Sequence, residues 1–151
     1  MSDLWLDRVF SLAGLMAMAG WLALIFAPLR PRLAQAVATF IVPAVIGLAY
    51  AVLIARHWGE APGGFGSLDE VGALFGHRGV LLAGWLHYLA FDLFVGAWEV
   101  REARRVGLPH WLILPALALT FLFGPIGLLV FLALRAARLR YAPLRTQGAT
   151  A

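Results

Sequence analysis

The chain predicts an all-α membrane protein: four transmembrane helices in an antiparallel bundle, with a short interfacial helix between the second and third spans. Three observations carry this. Four long apolar runs divide the 151 residues. Hydrophobic residues make up 62% of the chain and its mean hydropathy is +0.85, which leaves too little polar sequence to coat four buried helices in water. The connections between the runs are rich in arginine, proline and glycine. A span needs about 20 mostly apolar residues at ~1.5 Å rise each, and each run is close to that length.

The first run, Val9–Ala27, is uncharged. The segment before it mixes Asp3 and Asp7 with Arg8, and the run exceeds the ~7–15 apolar residues of a secretory signal. It therefore reads as a retained span, and no transit peptide is visible. Pro28-Leu29-Arg30-Pro31-Arg32 follows, short enough to force an antiparallel pair, with prolines that discourage helix continuation. The second run is Leu33–Ala55, in which Pro43 introduces a kink.

The longest connection runs from Arg56 to Gly79. Pro62-Gly63-Gly64-Phe65-Gly66 is turn-rich. Ser67-Leu68-Asp69-Glu70 then fits a capping box, Val71, Leu74 and Phe75 follow at helical spacing, and Gly76 offers a stop. A short helix at the interface is expected there.

The third span covers about residues 80–100, and between Val80 and Trp98 its ionisable groups are His87 and Asp92, apart from Tyr88. The fourth covers 111–134, where Pro125 frees the carbonyl of Phe121 and kinks the helix, while Gly124 and Gly127 permit close backbone approach. A basic tail, 135–151, completes a single membrane domain over residues 1–151.

Four spans would put both ends of the chain and the long loop on one side. That side would carry seven arginines (Arg8, Arg56, Arg78, Arg135, Arg138, Arg140, Arg145) against five on the other (Arg30, Arg32, Arg101, Arg104, Arg105). The positive-inside rule then expects both termini in the cytoplasm.

Composition removes several chemistries. There is no cysteine, so no disulfide, thiolate nucleophile or cysteine metal site. There is no lysine, so no lysine Schiff base, and arginine supplies all 12 basic residues. The net charge of +4 sits at the span ends, where anionic lipid and not nucleic acid is the expected partner. The chain shows no nucleotide-binding glycine loop and no metal-ligand set, so no cofactor is expected; oligomerisation stays open.

The third span carries the chemistry. An aspartate near the bilayer centre costs about 2.5–3.5 kcal/mol on insertion scales, and such groups face a bundle interior or a wet cavity. At ~100° per residue Trp85, Tyr88, Asp92, Gly96 and Glu99 share one face, and His87, Phe91, Phe94 and Trp98 the neighbouring one. With a start at Val80, His87 lies ~10 Å and Asp92 ~18 Å into the membrane. Asp92 and His87 are the candidate catalytic groups; each also has a plain structural reading, as a packing hydrogen-bond donor or acceptor. Glu99, close to Arg101, reads as a snorkelling surface residue. Trp85, Tyr88, Phe91, Phe94 and Trp98 are the candidate substrate-contacting residues. His87 and Asp92 are five apart with no second histidine on their face, which is poor metal spacing.

Trp85-Leu86-His87, Asp92-Leu93-Phe94 with Gly96, and Phe123-Gly124-Pro125-Ile126-Gly127 resemble the neoxanthin-synthase-like, abscisic-acid-deficient family of integral membrane proteins, which includes plant and many bacterial members. Ala27-Pro28 and Val42-Pro43 with Tyr50 also match, so the resemblance runs from about Phe10 to Leu134. It implies a bacterial member, in the inner membrane, acting on or binding a carotenoid, and His87 and Asp92 as the residues carried over. The plant pattern has a basic residue near Ala97-Trp98-Glu99, which this chain lacks. The implied reaction turns an epoxy-carotenoid into an allenic alcohol. That isomerisation needs an acid for the epoxide oxygen, a base for a vinylic proton and no redox cofactor. His87 and Asp92 could take these roles in either order. The alternative is a non-catalytic membrane protein that binds carotenoid or assists a partner enzyme.

Overall fold

The computed structural model describes residues 3–141, and among them every regular element is a helix. Three helices are long and apolar enough to cross a membrane, not the four expected. They are α1 (Asp3–Ile25), α2 (Pro31–His57) and α4 (Arg78–Val106). A short helix, α3 (Leu68–Gly76), precedes α4. Two further helices follow it, α5 (His110–Phe123) and α6 (Pro125–Tyr141).

The central helix is α4, which contacts all five others. Its interfaces with α1 and α2 are built on small residues: Ala13, Ala17, Ala38, Ala83, Ala90 and Ala97 are all buried. Small side chains let helix backbones approach where no hydrophobic effect drives them together. At Gly20 a Cβ would press on Leu93, and at Gly96 it would meet the Trp21 ring at 2.7 Å. The perimeter of the spans is apolar and exposed, as at Leu15, Phe40, Leu48 and Phe91, which suits lipid contact.

In α2 a π-helical turn over Val37–Ile41 precedes Pro43. The proline ring cannot accommodate a regular bond to the carbonyl one turn back, and the wider turn absorbs the misfit. The Ser67 cap forms as expected, accepting from the Glu70 amide at 3.1 Å, while the Glu70 carboxylate reaches one residue past the cap to the Gly66 amide at 2.9 Å.

The expected fourth span is where sequence and structure part. Residues 111–134 do not form one kinked helix; they break into α5 and α6 at Gly124, whose φ of 45° and ψ of −94° leave the helical region. Only glycine takes such angles without strain. Pro125 then starts α6, a position that needs no amide hydrogen. Gly127 lies so close to the Thr120 backbone that a Cβ there would overlap it. In a straight helix seven residues rise ~10 Å, so this contact requires a hairpin. The motif read as a kink is a turn.

The hairpin enters and leaves at the same end of α4. At its base Arg135 bonds Glu102, and Arg138 Nε donates to the Gly107 carbonyl at 3.2 Å. At its tip Gly124 abuts Asp92, the central residue of α4. The 14 residues of α5 reach ~21 Å, half of the ~43 Å of α4. It is a re-entrant pair whose tip lies at mid-depth.

This corrects the expectation that both ends lie together. The start of α1 is at the Arg78 end of α4, where Arg78 and Asp7 pair at 3.0 Å, whereas α6 ends near Gly107. The arginine balance changes with it. Among the described residues Arg8, Arg56 and Arg78 lie at one end, and Arg30, Arg32, Arg101, Arg104, Arg105, Arg135, Arg138 and Arg140 at the other. Of the basic tail, residues 135–141 are helix and the rest, with Arg145, lies outside the described residues.

Candidate functional site

The face of α4 that meets the hairpin carries Tyr88, Asp92, Glu99 and Glu102, and it fastens the hairpin at three depths. Near the tip, the Tyr88 hydroxyl donates to the Phe121 carbonyl at 2.9 Å. Midway, the Thr120 hydroxyl donates to Glu99 at 2.9 Å, with the second carboxylate oxygen at 3.2 Å. At the base, Glu102 accepts from Arg105 at 2.6 and 2.7 Å and from Arg135.

These bonds follow from local sequence. Pro125 has no amide hydrogen, so the Phe121 carbonyl lacks its helical partner and needs another donor. Tyr88 supplies it. Trp21 of α1 packs its ring edge-on against Phe121, 5.5 Å between centroids, and covers Gly96. Glu99 corrects the expectation of a snorkelling surface residue: both it and Thr120 are 0% exposed. Nothing in spacing alone separates a carboxylate that reaches the interface from one that meets a threonine on a re-entrant helix.

Asp92 sits at the hairpin tip. Both carboxylate oxygens lie 3.0 Å from where a Cβ on Gly124 would be. Its Oδ2 is enclosed and has no hydrogen-bond partner among the described residues. Its side chain also interacts with the Tyr88 hydroxyl one helical turn away. The amino end of α6, the positive end of that helix's dipole, begins beside it. An enclosed polar atom without a partner at the break between two half-helices is a site where a ligand or a proton can be taken up.

An apolar groove of about 620 Å³ between α1, α4 and α5 ends one helical turn short of Asp92, lined by Phe10, Gly14, Met18, Trp85, Tyr88 and Phe121 among others. Phe10 and Trp85 also line a second hollow, about 440 Å³, that extends toward the Asp7–Arg78 ion pair. The two form a path from one end of the spans to mid-depth. Trp85 stacks on Tyr88 (5.2 Å, 29°) and meets Phe10 at 5.8 Å. The groove walls are half-exposed on the lipid-facing surface, Phe10 at 50% and Trp85 at 41%.

The sequence-derived residues therefore fall into separate groups. Trp85, Tyr88 and Asp92 come together on the hairpin side. His87 lies on the other side of α4: it is exposed, stacks on Phe91 at 4.3 Å and faces Tyr50 of α2 at 5.9 Å. It is near enough to Asp92 to interact electrostatically but lines a hollow on its own side of α4, with Tyr50, Trp58, Phe65 and Phe75. Phe91 and Phe94 flank a third, with Pro43 and Gly47. Trp98 packs edge-on against Phe131 of α6, 5.4 Å between centroids. Sequence reasoning did not pair Thr120 with Glu99 or give Trp21 a role. The signals available were the conspicuous break Phe123-Gly124-Pro125-Ile126-Gly127 and the single hydroxyl just before it.

No curated protein and no solved structure matches the chain. The family described as ABA4-like, ABA DEFICIENT 4-like, matches over residues 8–131, from the middle of the first helical turns through the hairpin to Phe131. The match includes α4, the Asp92 site and the turn that builds it, and the chain belongs to that ABA4-like, neoxanthin-synthase-like family of membrane proteins.

Proposed function

We propose that the protein is a cofactor-free isomerase that opens the epoxide of a carotenoid end group to an allenic alcohol, with Asp92 and Tyr88 as its reacting groups. The observation that carries this reading is that Tyr88 lines the inner end of an aromatic groove open toward lipid, with Asp92 beside it one helical turn further along α4. A polyene is apolar, membrane-dissolved and planar. Such a groove suits it, and Trp85 and Phe10 offer ring faces along the way.

The step balances without a redox partner. The Tyr88 hydroxyl gives its proton to the epoxide oxygen as the carbon–oxygen bond breaks. The Asp92 carboxylate takes the vinylic proton, and the electron pair left behind forms the second cumulated double bond. Transfer of that proton from Asp92 to Tyr88 through their contact restores both groups. His87, which the family resemblance also singles out, serves in this proposal to orient Phe91 and α2 around α4.

The membrane orientation belongs to the same proposal. The arginine-rich end of α4 faces the cytoplasm of a bacterial inner membrane, because basic residues near span ends are retained on that side. The groove mouth at Asp7 and Arg78 then opens from the opposite leaflet.

The test is conversion of an epoxy-carotenoid by the purified protein in lipid vesicles, read by pigment chromatography. Wild type should form the allenic product, and Asp92→Asn and Tyr88→Phe should each lose at least ~10²-fold, the usual contribution of a general acid or base. Pigment that co-purifies with the protein yet is never converted would establish a carotenoid-binding protein instead.

A further inference from the structure

We infer that His57, Glu60 and His77 form a binding site for a first-row divalent transition metal at the Arg78 end of the bundle. The site is independent of the groove and of the reading of Asp92.

His57 is the last residue of α2, Glu60 lies in the turn after it, and His77 is the residue that precedes α4. The loop and α3 between them return the chain so that one donor atom from each residue lies within 4.8 Å of the others. The His57 Nδ1 is 3.6 Å from a Glu60 carboxylate oxygen, and the two imidazole rings are 5.3 Å apart at their centroids.

The second observation is that these nitrogens have nothing else to bond. Both ring nitrogens of His57 and the Nδ1 of His77 are enclosed, and none has a hydrogen-bond partner among the described residues. An enclosed imidazole normally bonds through at least one nitrogen, because leaving a polar atom buried and unpaired costs about 1–3 kcal/mol. His57 is also held in place: its ring lies against Gly79, where a Cβ would overlap it. Gly79 leaves the room that the ring occupies.

The donor set selects the metal class. Two imidazoles and one carboxylate, with no cysteine in the chain, suit Zn²⁺ and its first-row neighbours better than Mg²⁺ or Ca²⁺, which take oxygen ligands. Metal–nitrogen and metal–oxygen bonds of about 2.0–2.2 Å require the donors to close by about 1 Å. Glu60 is free to supply that movement, since its side chain is 70% exposed. Arg78, next in sequence, turns its guanidinium to Asp7 at 3.0 Å. Three protein ligands leave a fourth position for water, and the bound ion would pin the Trp58–Gly76 connection to the start of α4.

The experiment uses the full chain carrying no histidine tag, in detergent, stripped with chelator and titrated with Zn²⁺ and with Co²⁺ as a spectroscopic probe. Wild type should bind one equivalent of Zn²⁺, develop the visible absorption of four-coordinate Co²⁺, and melt at a higher temperature with Zn²⁺ than without. His77→Ala should lose the bound equivalent and the metal-induced melting shift. Glu60→Gln should weaken binding at least tenfold, and His87→Ala and His110→Ala should change neither. His57→Ala should behave as His77→Ala; if it fails to accumulate, His77→Ala carries the same test, because the His77 ring does not sit on Gly79. Wild type without an equivalent of bound metal, or a His77→Ala variant that keeps it, overturns the inference.

Discussion

The Tyr88 hydroxyl and the Phe121 carbonyl meet at 2.9 Å, and the bond joins the middle of α4 to the last turn of α5. It exists because of a third residue that touches neither in sequence: Pro125 cannot donate to that carbonyl, so an acceptor is left open at mid-depth where no water is at hand. Tyr88 thus fastens the hairpin tip and, on the same side chain, faces Asp92. Tyr88→Phe should therefore lower stability by about 1–3 kcal/mol, the cost of leaving a buried acceptor unpaired, as well as abolish conversion. A thermal melt in detergent separates the two effects: a variant that melts like wild type but does not convert pigment assigns Tyr88 to chemistry alone.

The re-entrant hairpin makes a prediction about sidedness. Single cysteines placed at Leu4 and Tyr141, both largely exposed, should label from opposite faces of sealed vesicles with a membrane-impermeant maleimide. The chain has no cysteine of its own, so each signal has one source. The basic end should lie inside, with Tyr141 protected and Leu4 labelled in intact cells. Labelling of both from one face would restore four full spans.

Gly124→Ala should disrupt the site through the backbone. A side chain at φ 45°, ψ −94° is strained, at about 1–3 kcal/mol for a non-glycine residue held in such a region. Its Cβ would also stand 3.0 Å from both Asp92 oxygens. The variant should melt earlier and lose conversion together, whereas Gly14→Ala, with open space around its Cβ, should fold normally and affect only occupancy of the groove.

Among the described residues Thr120 is the hydrogen-bond donor to the fully buried Glu99 side chain. Thr120→Val should cost about 1–3 kcal/mol, since it leaves a buried carboxyl without a donor. Glu99→Gln in the same background should recover part of that loss, because an amide costs less than a carboxylate to leave unpaired. Equal melting temperatures for wild type and Thr120→Val would show that the bond carries no stability.

His87 and Asp92 should separate in function. His87 lines a hollow with Tyr50 and Phe75, whereas Asp92 sits against Gly124 at the hairpin tip, so Asp92→Asn should abolish conversion while His87→Ala retains a measurable share. Equal loss in both, with both proteins folded, would return His87 to the reacting pair.

Much of the architecture was legible in the chain. Long uncharged runs can only be spans or a buried core, and the cost of apolar surface in water decides for the membrane; the Ser67–Glu70 cap and the helix it starts are local and formed as read. Local chemistry likewise pointed to the freed Phe121 carbonyl and to the face shared by Tyr88, Asp92 and Glu99. The path of the chain after Gly124 was not legible. A glycine–proline pair within an apolar run reads equally as a kink in one helix or as a turn between two, because hydropathy counts residues and carries no direction. Only packing chose the turn: Gly127 against Thr120, Arg135 on Glu102 and Arg138 on Gly107 are contacts between residues that a straight span would hold apart or on opposite sides of the membrane. The same choice buried Glu99, brought Asp92 to a helix break and moved residues 135–141 to the other end. Which partner a polar group finds inside a membrane depends on where the next helix returns, and that is decided by tertiary structure.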